Sequence, residues 1–97
     1  MAIIHVDDNN FSEHIKNGTV LVDFYADWCG PCRMLSPTLE ELSNNINIVK
    51  VNVDAAPIIA QKFGIMSIPT LIVFKDGKEV NKKVGICSKD EIKEMVK

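Results

Sequence analysis

Short apolar runs alternate along this chain with segments whose apolar residues recur at helical spacing. Five runs are rich in β-branched and aromatic residues or alternate in polarity, which predicts strands at residues 3–6, 20–25, 46–53, 70–74 and 79–84. The run at 20–25 is almost continuously apolar, as expected of a strand that is covered on both faces. The second strand is therefore predicted to lie in the interior of the sheet.

Four helices are predicted between and after these strands. They cover residues 8–16, residues 31 to about 44, residues 54–63 and a final segment that begins after residue 88. In the second helix, Leu35, Leu39 and Leu42 recur at i, i+4 and i+7 and form a stripe that is expected to be buried. Pro37 lies inside this helix, where it predicts a kink.

Local motifs mark where these elements begin and turn. Asp7 or Asp8 is the predicted N-cap of the first helix. Ser88 and Glu91 predict a capping box at the last helix, and Asp76-Gly77 predicts a hairpin turn between the last two strands. The predicted order is β-α-β-α-β-α-β-β-α. This order is typical of a layered α/β domain that is parallel in its first part and ends in an antiparallel hairpin.

Length and composition are those of an ordinary soluble domain. The chain has 97 residues, 46% of them hydrophobic and 25% charged, so we expect one domain over residues 1–97. A formal net charge of -2 provides no basic surface for nucleic acid. The apolar stretches are far shorter than the ~20 residues that span a bilayer, and the N-terminus lacks the pattern of a secretory signal. We expect a cytoplasmic protein with neither nucleic-acid nor membrane partners.

The candidate chemistry lies in Trp28-Cys29-Gly30-Pro31-Cys32, between the second strand and the second helix. Free backbone N–H groups and the positive end of a helix favour a thiolate there, and a thiolate attacks disulfides. We therefore predict dithiol–disulfide exchange. A zinc half-site is the alternative, but the chain has no second C-x-x-C or C/H pair, and Cys87, His5 and His14 are badly placed as ligands.

Two other residues depart from their surroundings. Asp23 is an acid inside an apolar run, where burial is costly and raises the pKa of a carboxyl; the alternative is that it points to solvent at a sheet edge. Cys87 makes the cysteine count odd, which argues against a disulfide framework. One interpretation is a reactive thiol that can be glutathionylated or form an intermolecular disulfide. The other is a small apolar residue that is half-buried at the start of the last helix.

The chain resembles the thioredoxin family over nearly its whole length. The resembling segments are Val22-Asp23-Phe24-Tyr25-Ala26-Asp27-Trp28-Cys29-Gly30-Pro31-Cys32, Lys50-Val51-Asn52-Val53-Asp54, Phe63-Gly64-Ile65, Ile68-Pro69-Thr70, Phe74-Lys75-Asp76-Gly77 and Val84-Gly85. The resemblance implies the thioredoxin fold, an α/β fold with a five-stranded mixed central sheet and four helices on its two faces. It also implies a protein-disulfide reductase that works through a redox-active Cys29–Cys32 disulfide and binds no cofactor or metal.

The resemblance implies a role for each residue near the cysteines. Cys29 is expected to attack the substrate disulfide, and Cys32 to resolve the mixed disulfide that forms. Asp23 is expected beneath Cys32, where it takes the proton of that thiol, with Lys50 close to the acid. Pro69 is expected in the cis form, facing both sulfurs.

The resemblance further implies how the site meets its partners. Gly30 and Pro31 form the insert that reductants of this family carry. The expected docking rim is exposed and apolar and consists of Trp28, Ile68, Gly85 and Ile86. Ordinary core packing is the alternative for Trp28.

The implied partners are disulfide-containing client proteins and a thioredoxin reductase as electron donor, with the chain itself a monomer. Two alternatives use the same fold. An oxidase or isomerase is disfavoured by Gly30-Pro31 and by the missing secretory signal. A non-enzymatic binding or processivity subunit would use the fold only as a docking surface.

Overall fold

The computed structural model describes residues 3–97. Its elements are β1 Ile3–Val6, α1 Phe11–Ile15, β2 Thr19–Tyr25, α2 Gly30–Leu42, β3 Asn47–Asn52, α3 Pro57–Lys62, β4 Thr70–Lys75, β5 Lys78–Val84 and α4 Lys89–Met95. The predicted order of strands and helices is confirmed. Met1 and Ala2 lie outside the described residues, so the predictions of a missing secretory signal and of a domain that begins at residue 1 stay predictions.

The strands form one mixed sheet in the order β1-β3-β2-β4-β5. β3 pairs in parallel with both β1 and β2, whereas β4 runs antiparallel to both β2 and β5. β2 is thus the middle strand, and every residue from Val20 to Phe24 is buried. The interior position predicted from its apolar run is confirmed.

Helices cover both faces of the sheet, and each face has its own core. α1 and α3 cover the face that carries Val22 and Phe24 of β2. α2 and α4 cover the opposite face, where Leu35, Leu39 and Ile92 are fully or almost fully buried against the sheet. Because side chains alternate along a strand, Asp23 points to the face that α2 covers.

The predicted N-cap of α1 is wrong. The cap residue is Asn10, whose side chain accepts no capping hydrogen bond, and the helix begins at Phe11. The Asp7 carboxylate instead accepts hydrogen bonds from the amides of Asn9 and Asn10 at 2.9 and 3.2 Å, which organises the turn before the helix. The Asp8 carboxylate accepts hydrogen bonds from amides of α3 instead.

The other local motifs are confirmed. Ser88 and Glu91 make both hydrogen bonds of a capping box at the start of α4. The turn between β4 and β5 has positive φ at Asp76 and at Gly77, 50° and 86°, as a two-residue hairpin turn requires. The Asp76 carboxylate also accepts a hydrogen bond of 2.8 Å from the amide of Gly18, which ties this turn to the loop before β2.

Helix α2 connects the fold to the candidate site. It begins one residue earlier than predicted, at Gly30, has Pro31 in its first turn and ends at Leu42. Pro37 lies inside it, and the kink there stays a prediction. Within residues 3–97, no helix has both the length and the apolar character that a membrane crossing requires.

Candidate active site

The two cysteines lie where the middle strand leads into α2. Cys29 is the N-cap residue of the helix and Cys32 is in its first turn, and the two form a disulfide with a Cα–Cα distance of 5.2 Å. The Cys29 sulfur accepts a hydrogen bond of 3.2 Å from the amide of Cys32. The sequence prediction of a cysteine sulfur at a helix start, where a backbone N–H can donate to it, is confirmed.

Helix position distinguishes the two sulfurs better than exposure does. Cys29 is 4% exposed and Cys32 is 3% exposed in the disulfide form. Only Cys29 occupies the cap, where the amide of Cys32 and the positive helix end both stabilise a negative charge on sulfur. The arrangement therefore favours the thiolate at Cys29 once the disulfide is reduced.

The segment before β4 lies against the cysteines. The Ile68–Pro69 peptide bond is cis, as the resemblance implied. The Ile68 carbonyl oxygen lies 3.8 Å from the Cys29 sulfur. The Pro69 carbonyl accepts a hydrogen bond of 2.8 Å from the Gly85 amide, which fastens the segment to the end of β5. This hydrogen bond therefore links two parts of the predicted rim, because Ile68 directly precedes Pro69 and Gly85 is the donor.

Asp23 is completely buried in the middle strand, so the alternative that it faces solvent is wrong. Neither of its carboxylate oxygens has a hydrogen-bond partner. Burial raises the pKa of Asp23 to about 6, although the Lys50 ammonium acts in the opposite direction. A carboxyl with this pKa exchanges protons near neutral pH.

Lys50 is the nearest charge to this carboxyl. It is paired with Asp23 in the register of β2 and β3, and its Nζ lies 3.8 Å from Asp23 Oδ2. The same ammonium donates a hydrogen bond of 3.4 Å to the Ser36 hydroxyl and lies 4.3 Å from the centre of the Tyr25 ring. The predicted proximity of Lys50 to the acid is confirmed.

Ser36 was not among the residues predicted from the sequence. Its hydroxyl donates a hydrogen bond of 3.4 Å to the Cys32 carbonyl oxygen and so links Lys50 to the first turn of α2. The spacing from Cys32 to Ser36 is i to i+4, which places both residues on one face of a helix. That spacing could have indicated Ser36 as a neighbour of Cys32, but it does not indicate which residue of the sheet Ser36 contacts.

A cleft of about 260 Å³ lies beside Cys32. It is lined by His5, Tyr25, Ala26, Asp27, Cys32, Arg33, Ser36 and Lys50. His5 Nδ1 lies 3.3 Å from the Tyr25 hydroxyl, and the Arg33 guanidinium donates to the Asp27 carbonyl oxygen at 2.7 Å. The cleft thus brings polar and ionisable side chains to the side of Cys32.

The predicted rim residues differ in exposure. Trp28 is 68% exposed and Ile86 is 50% exposed, whereas Ile68 and Gly85 are half-buried. Core packing of Trp28 is therefore wrong, and its indole N–H instead donates a hydrogen bond of 2.9 Å to the Asp54 carboxylate. Docking by this rim stays a prediction.

Cys87 is a buried core residue. It is 2% exposed and belongs to the core beneath α2 and α4, and burial raises the pKa of its thiol. The apolar interpretation is confirmed, with deeper burial than predicted. Among residues 3–97, no group of three or more His, Cys, Asp and Glu side chains is arranged to hold a metal ion.

Comparison with known proteins finds one family along the chain. The family model described as Thioredoxin matches residues 2–97. A thioredoxin of Staphylococcus saprophyticus is 52% identical over 100 residues, covering 99% of this chain and 96% of the relative. A thioredoxin of Chlamydia muridarum is 50% identical over 94 residues, covering 94% and 92%. The solved structure of a mutant thioredoxin from Halobacterium salinarum NRC-1 has a TM-score of 0.85 and 37% identity, covering 97% of this chain and 87% of that one.

Proposed function

Because the chain belongs to the thioredoxin family, and so is a thiol–disulfide oxidoreductase that works through its Cys29–Cys32 disulfide without a bound cofactor, we propose that it reduces disulfides in client proteins. The observation that carries this proposal is the position of Cys29 at the N-cap of α2, with Cys32 in the next turn. Gly30 and Pro31 lie between the cysteines, and the same insert is typical of the family's reductants.

The reaction has two exchange steps. The Cys29 thiolate attacks one sulfur of the client disulfide, forms a mixed disulfide and releases the other client sulfur as a thiolate. Cys32 then loses its proton and attacks the Cys29 sulfur, which forms the Cys29–Cys32 disulfide and releases the second client sulfur. Two electrons pass to the client, and the protein is left oxidised.

Asp23 is the proposed proton acceptor for Cys32. It lies on the face of the sheet that α2 covers, and its raised pKa matches proton exchange near neutral pH. Lys50 is the proposed counter-charge, because its ammonium lies 3.8 Å from this carboxylate. Proton transfer to Asp23 increases the fraction of Cys32 that is a thiolate when the mixed disulfide must be resolved.

The docking surface is the predicted rim of Trp28, Ile68, Gly85 and Ile86, together with the cis peptide at Pro69. Its exposed indole and isoleucine side chains support contact with client proteins. The proposed surface also includes Met66, which was not predicted from the sequence; it is 95% exposed and lies two residues before Ile68 in the chain. Contacts of this kind accept many client sequences, because they depend on apolar area rather than on specific side-chain pairs.

The proposal includes the setting in which the protein works. A thioredoxin reductase returns the disulfide to the dithiol, and the protein acts as a cytoplasmic monomer whose residues 1–97 form one functional domain. The family match over residues 2–97 supports the last point. Neither nucleic acid nor a membrane takes part.

The test is reduction of insulin by dithiothreitol, followed as turbidity. We expect the wild-type protein to accelerate the reaction and Cys29→Ser to abolish the acceleration. Cys32→Ser should trap a mixed disulfide through Cys29, which mass spectrometry detects. A redox titration of the wild-type pair distinguishes a reductant from an oxidant. A potential close to the ≈ −120 mV of strong periplasmic oxidants would overturn the proposed direction of electron flow.

A further inference from the structure

The Lys50 ammonium is held by three groups, and only one of them is charged. It lies 3.8 Å from the Asp23 carboxylate, donates a hydrogen bond of 3.4 Å to the Ser36 hydroxyl and lies 4.3 Å from the centre of the Tyr25 ring. Its side chain is only 13% exposed, so protein groups supply most of its surroundings. The position of the ammonium therefore depends on how these three groups share it.

The hydroxyl of Ser36 has a consistent place in this arrangement. It accepts from Lys50 and donates to the Cys32 carbonyl oxygen at 3.4 Å, so both contacts are satisfied by one hydroxyl orientation. The Asp23 carboxylate, in contrast, receives no hydrogen bond at either oxygen. A buried carboxylate without partners is rare in proteins, and here the Lys50 ammonium 3.8 Å away donates to Ser36 instead of to Asp23.

We propose that Ser36 is a positioning residue for disulfide exchange, whose hydroxyl holds the Lys50 ammonium back from the Asp23 carboxylate and so leaves that carboxylate free to take the proton of Cys32. This inference rests on the role given above to Asp23. Ser36 itself takes no part in the exchange of sulfurs, and it acts only through Lys50.

The physical consequence follows from the distances. Without the hydroxyl, the ammonium loses its hydrogen bond to Ser36, while the charged acceptor Asp23 Oδ2 remains 3.8 Å away. A direct hydrogen bond from the ammonium stabilises the ionised carboxylate and lowers the pKa of Asp23. The carboxylate then becomes a weaker base, although more of it is ionised in mildly acidic solution.

Several ionisable residues line the cleft beside Cys32, and Lys50 is the one that contacts both Ser36 and Asp23. They are Lys50 of β3, Tyr25 of β2, His5 of β1, Asp27 after β2 and Arg33 of α2, and the lining residue Cys32 is held in the disulfide of the oxidised protein. Only Lys50 among them donates to Ser36. A change at Ser36 is therefore transmitted to Asp23 through Lys50.

The experiment titrates the Asp23 carboxyl carbon by NMR in the oxidised protein. We expect the midpoint to lie near 6 in the wild-type protein and about half a unit to one unit lower in Ser36→Ala. Ser36→Thr keeps a hydroxyl and should keep the wild-type midpoint. Ser43→Ala is the matched control. Ser43 lies at the C-cap of the same helix, and its hydroxyl, like that of Ser36, donates to a backbone carbonyl, at 2.6 Å, but Lys50 donates to Ser36 and not to Ser43.

Kinetics provide the readout for function. We measure the rate of mixed-disulfide resolution at pH 5 as a fraction of its plateau value. This fraction should be about two- to fivefold larger in Ser36→Ala than in wild type, because the fall of the rate in acid follows the midpoint of the Asp23 carboxyl. An unchanged or raised Asp23 midpoint in Ser36→Ala would overturn the inference, as would an equal shift in Ser43→Ala. An unchanged resolution rate in Asp23→Asn would contradict the proposed role of Asp23 as proton acceptor. In that case the NMR midpoints would still decide whether Ser36 positions Lys50.

Discussion

At the residue scale, the burial of the Asp23 carboxyl makes the stability of the fold depend on pH. A completely buried carboxylate without a hydrogen bond is unfavourable in the charged form, which is the reason that burial raises its pKa to about 6. The folded protein therefore binds this proton more tightly than the unfolded chain, whose carboxyl titrates near 3.8. The charged carboxylate destabilises the fold progressively as the pH rises from about 4 to about 6, and fully above that range.

Asp23→Asn should remove this dependence. A pKa difference of about 2 units corresponds to about 3 kcal/mol, so the free energy of unfolding of Asp23→Asn should rise relative to wild type by about that amount between pH 4 and pH 7. Urea denaturation of the two oxidised proteins across this range measures the difference. Asp27→Asn is the control, because it removes an exposed carboxyl instead of a buried one. A flat offset for Asp23→Asn would contradict the buried carboxyl's raised pKa.

Asp23 could be found from the sequence and Ser36 could not, and the reason is physical. An acid inside a continuously apolar strand is conspicuous by itself, because its neighbours Val22 and Phe24 must be buried. A serine on a helix is ordinary. Its contact with Lys50 depends on how α2 lies across β3, which no local pattern specifies.

At the element scale, helix α3 shows how a cap can come from a distant part of the chain. Its local cap residue, Ala56, has no side-chain acceptor. The Asp8 carboxylate accepts from the Ile59 amide at 2.8 Å and from the Ile58 amide at 3.3 Å. An acid placed at a helix start also interacts favourably with the helix dipole. This acid was predicted to cap α1, because capping rules consider only the residues next to a helix.

Asp8→Ala should therefore weaken α3 rather than α1. We expect the free energy of unfolding to fall by about 1 kcal/mol, as for other lost N-caps. Hydrogen exchange should locate the effect, with faster exchange at the amides of Ile58 and Ile59. Ser88→Ala is the comparison: it removes a local cap of similar size, and its effect should appear at Glu91 in α4. Protection lost mainly at Phe11 in Asp8→Ala would instead support the original assignment to α1.

At the scale of the whole molecule, the alternating periodicities predicted the order of strands and helices, and the C-x-x-C motif predicted the position of the candidate active site. The order of elements follows from the sequence, and the hairpin follows from Asp76-Gly77. The lateral order β1-β3-β2-β4-β5 does not follow from periodicity. It requires knowing which face each helix covers, and the resemblance implied only that the sheet is mixed and that helices cover both of its faces. The cis form at Pro69 came from the resemblance, because sequence alone does not distinguish the isomers.

The core beneath α2 and α4 makes Cys87 a reporter of global unfolding. Cys87 is 2% exposed in that core, and burial raises the pKa of its thiol, so the thiolate that alkylating reagents need is scarce as well as hidden. The next residue, Ser88, is the N-cap of α4, and its capping-box hydrogen bonds with Glu91 restrain the backbone directly after Cys87. Reaction at Cys87 should therefore require opening of the core rather than movement of a loop.

In a variant with Cys29→Ser and Cys32→Ser, Cys87 is the only thiol. We expect alkylation of the folded variant to be at least about a thousandfold slower than in urea, since a stability of about 5 kcal/mol or more leaves so few molecules open. The rate should rise with urea in parallel with the unfolding equilibrium, and mild peroxide should leave no adduct on Cys87 in the mass spectrum. Rapid alkylation of the folded variant would instead restore the interpretation of Cys87 as a reactive thiol, because only a local opening at the end of β5 would expose it while both cores stay closed.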